Sequence, residues 1–83
     1  MPSMMTLEIP LPRGHIGERV RAVRAARNLS QAELARRVGV SKNAMNQIEQ
    51  GHAPNPRANV IRRLAEVLAI PADYLLGVGE EGD

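Results

Sequence analysis

Apolar residues recur along the chain at helical spacing, in separate blocks. Ile16, Val20 and Val23, continued by Ala26 and Leu29, lie three or four apart and predict a first helix from His15 to Arg27. Arg19, Arg21, Arg24 and Arg27 fall on its other faces and read mostly as a solvated surface, with Arg24, next to Val23, drawn partly inward. Leu34, Ala35 and Val38 mark a second helix over 31–38, and Met45 and Ile48 a third over 42–50. A fourth, beginning at Pro56 or Arg57, turns Ala58, Ile61, Leu64, Ala65 and Leu68 inward, while Val60 and Val67 form a second apolar line seven residues apart. The last is the short run A-D-Y-L-L, with Pro71 suited to its first position and Asp73 near its positive end.

Polar punctuation between the blocks agrees with them. Ser30 and Glu33 have the spacing of a capping box, in which each side chain accepts the other residue's main-chain N–H, and Leu29 can staple onto Leu34. Gly39 is placed to end the second helix in the left-handed conformation, which costs a residue with a Cβ about 1 kcal/mol or more. Ser41 starts the third helix one residue after Val40, which can staple onto Met45, and Gly51 stops it. With about 100° of rotation per residue, Asn43 and Gln47 point away from Met45 and Ile48, flanked by Asn46 and Gln50. The outward face of this helix therefore carries neither a large apolar residue nor an acid.

The ends read differently. Pro2, Pro10 and Pro12 forbid a helix before Arg13, so residues 1–13 are expected as an extended arm. V-G-E-E-G-D after Gly77, residues 78–83, reads as an acidic flexible tail. Between them residues 14–77 make one domain, near the lower size limit for a core without covalent help. The chain has no cysteine, which removes disulfides and thiolate metal sites and suits a cytoplasmic protein. No apolar run reaches the roughly 20 residues of a membrane span.

Charge sharpens the picture. The formal balance is +2, but three of the nine acids are Glu80, Glu81 and Asp83; eleven basic against six acidic residues leave +5 on residues 1–79. A basic body favours an anionic partner. Tyr74 is the only aromatic residue, so the stacking used on single-stranded nucleic acid is disfavoured, and duplex DNA is the better polyanion. His15 and His52 lie in different segments without a nucleophile or a metal constellation, so neither a catalytic residue nor a metal or other cofactor is expected, and no small-molecule site is evident.

Two short helices joined by a glycine turn, with Ala35 at the fifth position of the first, resemble a helix-turn-helix. The wider string L-S-Q-A-E-L-A-R-R-V-G-V-S, then I-E-Q-G, then L-A-E-V-L-A-I-P-A-D-Y-L-L-G, resembles the phage-repressor type, the XRE family of lambda and 434 repressor and Cro, over about Ile16 to Gly77. That resemblance implies an all-α, five-helix lambda-repressor-like domain whose third helix enters the major groove while the second crosses the phosphate backbone. It makes Lys42, Asn43, Asn46 and Gln47 base readers. Lysine can donate to guanine O6 and N7, and the amides of Asn43 and Gln47 can pair with adenine N6 and N7.

Gln31 matches the family's phosphate-binding glutamine, with Ser30 beside it; Ser41, Gln50, Asn55 and Arg57 are further phosphate candidates. Arg24 and Glu49 match a structural ion pair of close relatives. Pro71 departs from the family, which usually places a serine or threonine cap there, and the arm before Arg13 has no counterpart in the shortest relatives. The expected activity is sequence-specific duplex-DNA binding by a transcriptional regulator of repressor type. It would act as a homodimer through Val60, Val67, Ile70 and Leu76, apolar residues that the core stripe does not require. The alternative is an antitoxin or adaptor that binds a protein partner and regulates its own operon through the same motif.

Overall fold

In a computed structural model of the chain, residues 14–53 and 56–77 are described; the expected arm, Asn55 and the acidic tail lie outside them. All regular structure among the described residues is helical. The elements are α1 (Ile16–Ala26), α2 (Gln31–Val38), α3 (Lys42–Glu49), α4 (Ala58–Leu68) and α5 (Ala72–Leu76).

The two central helices start as their serines predict. Ser30 Oγ accepts the Glu33 N–H at 3.0 Å, and Ser41 Oγ accepts the Ala44 N–H at 2.9 Å. Only the Ser30 half of the expected capping box is present among the described hydrogen bonds. The Glu33 carboxylate turns forward instead, to Arg36 and, at 2.7 Å, to Arg37. Two guanidiniums one turn ahead outcompete one main-chain N–H, because charge-assisted hydrogen bonds are the stronger kind. Gly39 ends α2 at φ 92°, so that its own N–H and that of Val40 both reach the Ala35 carbonyl.

Among the described residues, two in the left-handed region are not glycines: Asn28, in the turn after α1, and Ala69, which caps α4, both at φ 60°. Asparagine tolerates this region; alanine pays a steric penalty there. Arg27 compensates at Ala69 by donating from Nε to the Leu68 carbonyl at 2.9 Å and from Nη2 to that of Ala69 at 3.4 Å, which satisfies the exposed end of α4.

The core includes Val20, Val23, Leu34, Ala35, Val38, Met45, Leu64, Leu68 and Leu75, with Leu29 and Val40 packed against it. Each such side chain contributes about 1.5–3 kcal/mol of burial for a fully enclosed Val, Leu or Met. α2 packs on both α3 and α4, while α1 packs on α3, α4 and α5.

Four expectations are corrected by the packing. Ala26 and Ala58, placed on inner faces by spacing alone, are exposed, the first at the C-terminal end of α1 and the second at the N-terminal end of α4. Arg19 is 7% exposed rather than solvated. It stands at i+3 in the stripe Ile16–Arg19–Val20–Val23, so α1 turns it inward, where it donates to the Gly14 carbonyl at 2.6 Å and packs where a Cβ on Gly77 would stand. Ile70 lies in the core at 8% exposure, while Leu76, at 44%, remains on the surface. Pro71 takes the N-cap of α5 rather than its first helical position.

Candidate nucleic-acid interface

α3 is held by its inner face, which determines what it shows outside. Met45 and Ile48 are buried, Lys42, Asn43 and Gln50 are exposed, and Asn46 and Gln47 are half-buried. Glu49, the only acid on the helix, is turned inward and is 1% exposed. Arg24 Nε donates to its Oε2 at 2.8 Å and Arg24 Nη2 to its Oε1 at 3.1 Å, while Arg24 Nη1 bonds the Leu29 carbonyl at 3.0 Å. Arg21 stands behind this pair, its Nε 3.8 Å from Glu49 Oε1 and its Nη2 donating to the Glu49 carbonyl at 3.3 Å. A buried carboxylate held in this way keeps α3 at one angle to α1 and removes negative charge from the outward face.

The approach of α1 to α3 depends on Gly17. A Cβ there would overlap the Ile48 carbonyl oxygen and press on the Glu49 Cα at 2.8 Å. Periodicity did not single this residue out. Its signal was a glycine inside a helix, which costs about 1 kcal/mol relative to alanine and so needs a packing reason.

Beside α3, the start of α2 supplies Gln31. Its Nε2 donates to Glu49 Oε1 at 3.1 Å and to Asn46 Oδ1 at 3.3 Å. Gln31, Lys42, Asn43 and Asn46 line one open, polar hollow of about 410 Å³. The structure thus brings the glutamine expected on phosphate together with three of the four expected base readers. Ser30 and Ser41 are exposed, and their hydroxyl protons remain available because each oxygen acts as the acceptor in its cap. Arg57 is exposed at the N-cap of α4. Among the described residues no group of three His, Cys, Asp or Glu side chains could hold a metal ion, and no helix is long and apolar enough to cross a membrane.

Comparison with known proteins places this arrangement. A family model described as a helix-turn-helix domain matches residues 15–75. The chain belongs to that family.

It is of the phage-repressor-like, XRE type. An uncharacterized transcriptional regulator in the ATPase CF(0) region of Rhodospirillum rubrum is 39% identical over 83 residues, all of this chain and 76% of that protein. The HTH-type transcriptional repressor RghR of Bacillus subtilis (strain 168) is 40% identical over 60 residues, which are 72% of this chain and 44% of RghR, so the chain spans less than half of that repressor's length. Among solved structures, the P22 c2 repressor in complex with a synthetic operator superposes with a TM-score of 0.71 at 36% identity, over 76% of this chain and 94% of that one. The five-helix, lambda-repressor-like fold expected from the resemblance is the fold observed.

Proposed function

We propose that this chain is a sequence-specific duplex-DNA-binding transcriptional regulator of repressor type, which places α3 in the major groove. The observation that carries this reading is the acid-free outer row of α3, held by the buried Arg24–Glu49 pair beside the start of α2, in a fold whose P22 c2 counterpart sits on operator DNA. Lys42, Asn43, Asn46 and Gln47 read base edges. Ser30, Ser41, Gln50 and Arg57 contact phosphate oxygens. Gln31 has both side-chain N–H bonds taken up within the chain and contributes its main-chain N–H at the first position of α2, where helix geometry leaves donors open to an anion.

One α3 reaches only a few base pairs, so two copies bind about one helical turn, roughly 34 Å, apart. They pair through the surface that includes Leu76 and the half-buried Val60 and Val67.

Selection of sites from a randomised duplex library tests this assignment. Lys42→Ala and Gln47→Ala each relax preference at a separate position, whereas Arg57→Ala weakens all sites alike and lowers the salt dependence by about one phosphate contact. Identical behaviour of all three variants refutes the division of roles, and failure to enrich any sequence refutes the reading as a whole.

A further inference from the structure

An amide side chain can present either its oxygen, which accepts, or its NH2, which donates, and its neighbours set which one faces outward. At Asn46 this choice follows from a run of bonds with one direction. Arg24 has only donors, and it holds both oxygens of Glu49. The carboxylate only accepts, so the Gln31 atom 3.1 Å from its Oε1 is the amide nitrogen. That nitrogen has one further hydrogen, directed at Asn46 over 3.3 Å, and it requires an oxygen there. Gln50 Nε2, one turn along α3, donates to the same Oδ1 at 3.4 Å. Asn46 Oδ1 therefore receives two donors, and what remains for a ligand is Nδ2 with its hydrogens.

We infer that Asn46 is a donor-only reader, selecting a base whose polar major-groove atoms are all acceptors, guanine or thymine, and discriminating against adenine, which adds a donor at N6. This rests on the DNA-binding reading above. Adenine is read by an amide that accepts from N6 while donating to N7. The oxygen needed for the first bond is already engaged in Asn46, and the N6 amino group would face another amino group. Guanine O6 and N7 and thymine O4 are acceptors, and each suits Nδ2. Asn43 and Gln47 differ: among the described residues no hydrogen bond holds either side-chain amide, so both keep the two-sided pairing with adenine. Of the three amides in the row, Asn46 is the specificity determinant whose chemistry the protein sets in advance.

The test uses the 83-residue chain. It is crystallised with the duplex it selects from a randomised library, and the base facing Asn46 is then varied in binding measurements. Guanine or thymine is expected against Nδ2, and its exchange for adenine lowers affinity by at least about fivefold, the lower bound for loss of a good base contact. Asn46→Asp keeps an acceptor for Gln31 and Gln50 but turns a second acceptor outward, so the ratio reverses in favour of adenine or cytosine. The ratio is compared rather than the affinity, because the new carboxylate also repels phosphate. An adenine held by both ends of the Asn46 amide, or an Asn46→Asp variant that retains the original ratio, overturns the inference and leaves DNA binding intact. A chain that selects no sequence overturns the DNA-binding reading, and this inference falls with it.

Discussion

Arg24 and Glu49 meet end to end, Nε to Oε2 at 2.8 Å and Nη2 to Oε1 at 3.1 Å, with the carboxylate 1% exposed and the arginine side chain 18% exposed. An exposed pair would contribute about 0–1 kcal/mol, but removing one partner of a buried pair leaves a charge without water or counterion. Arg24→Ala should therefore destabilise the fold by about 3 kcal/mol in urea denaturation, the low end for breaking a buried pair, because Arg21 still approaches Glu49. A loss below about 1 kcal/mol would place the pair among ordinary surface bridges. Replacing both residues with apolar ones of similar volume should recover much of the stability, while the bond from Gln31 to Glu49, which orients the Gln31 amide towards Asn46, is lost.

Gly17 offers a test in which two effects have opposite signs. Alanine inside a helix is favoured over glycine by about 1 kcal/mol, so propensity alone predicts that Gly17→Ala stabilises. The overlap of its Cβ with the Ile48 carbonyl predicts the reverse, since backbone cannot move aside as a side-chain end can. We expect net destabilisation by about 1–3 kcal/mol, as for other overpacked sites. At Gly39 a Cβ would meet nothing within 4 Å, so the cost of Gly39→Ala is the left-handed backbone alone, about 1–2 kcal/mol. Thermal melts of the two variants that show Gly17→Ala stabilised would remove the close α1–α3 approach from the account.

Glu33 predicts a pH dependence. The hydrogen bond from Arg36, then that from Arg37, holds its carboxyl at about 2 rather than the ordinary 4.5. A folded-state value below the unfolded one means that the interaction stabilises fully above pH 4.5 and is lost as the pH falls from there towards 2. The stability difference between the wild type and Glu33→Gln should shrink over this window. Because the cluster lies at the surface, the difference should also shrink in high salt. A difference that is constant between pH 6 and pH 2.5 would show that the two arginines do not hold Glu33 in solution.

Leu76 is the large apolar side chain most exposed among the described residues. If it lies in the contact between two copies, Leu76→Glu lowers the apparent mass in sedimentation at micromolar concentration and leaves the melting curve of the monomer nearly unchanged. An unchanged mass would move the contact elsewhere.

Much of this molecule was legible in advance because its signals are local. A serine cap needs only the N–H groups two or three residues ahead, and a glycine stop needs only its own φ, so Ser30, Gly39, Ser41 and Gly51 mark the motif without knowledge of the rest. The face of α3 followed from rotation per residue, and the Arg24–Glu49 pair from family resemblance. Arg19 was legible in principle, at i+3 of its own stripe, but its charge argued for solvent. Burial depended on Gly14 and Gly77, which the fold brings to it from outside α1.

The sequence by itself determined where α2 and α3 begin, that Leu34, Ala35 and Val38 and then Met45 and Ile48 are buried, and that the polar row from Lys42 to Gln47 has no acid. These are properties of neighbours one or two turns apart. Only the tertiary structure decided that Gly17 lets α1 approach α3, that Ile70 is core while Leu76 is surface, and that the Asn46 oxygen is already engaged. Each of these depends on atoms distant in sequence meeting at van der Waals or hydrogen-bond distance. A pattern along one helix has no information on what the next helix will place there.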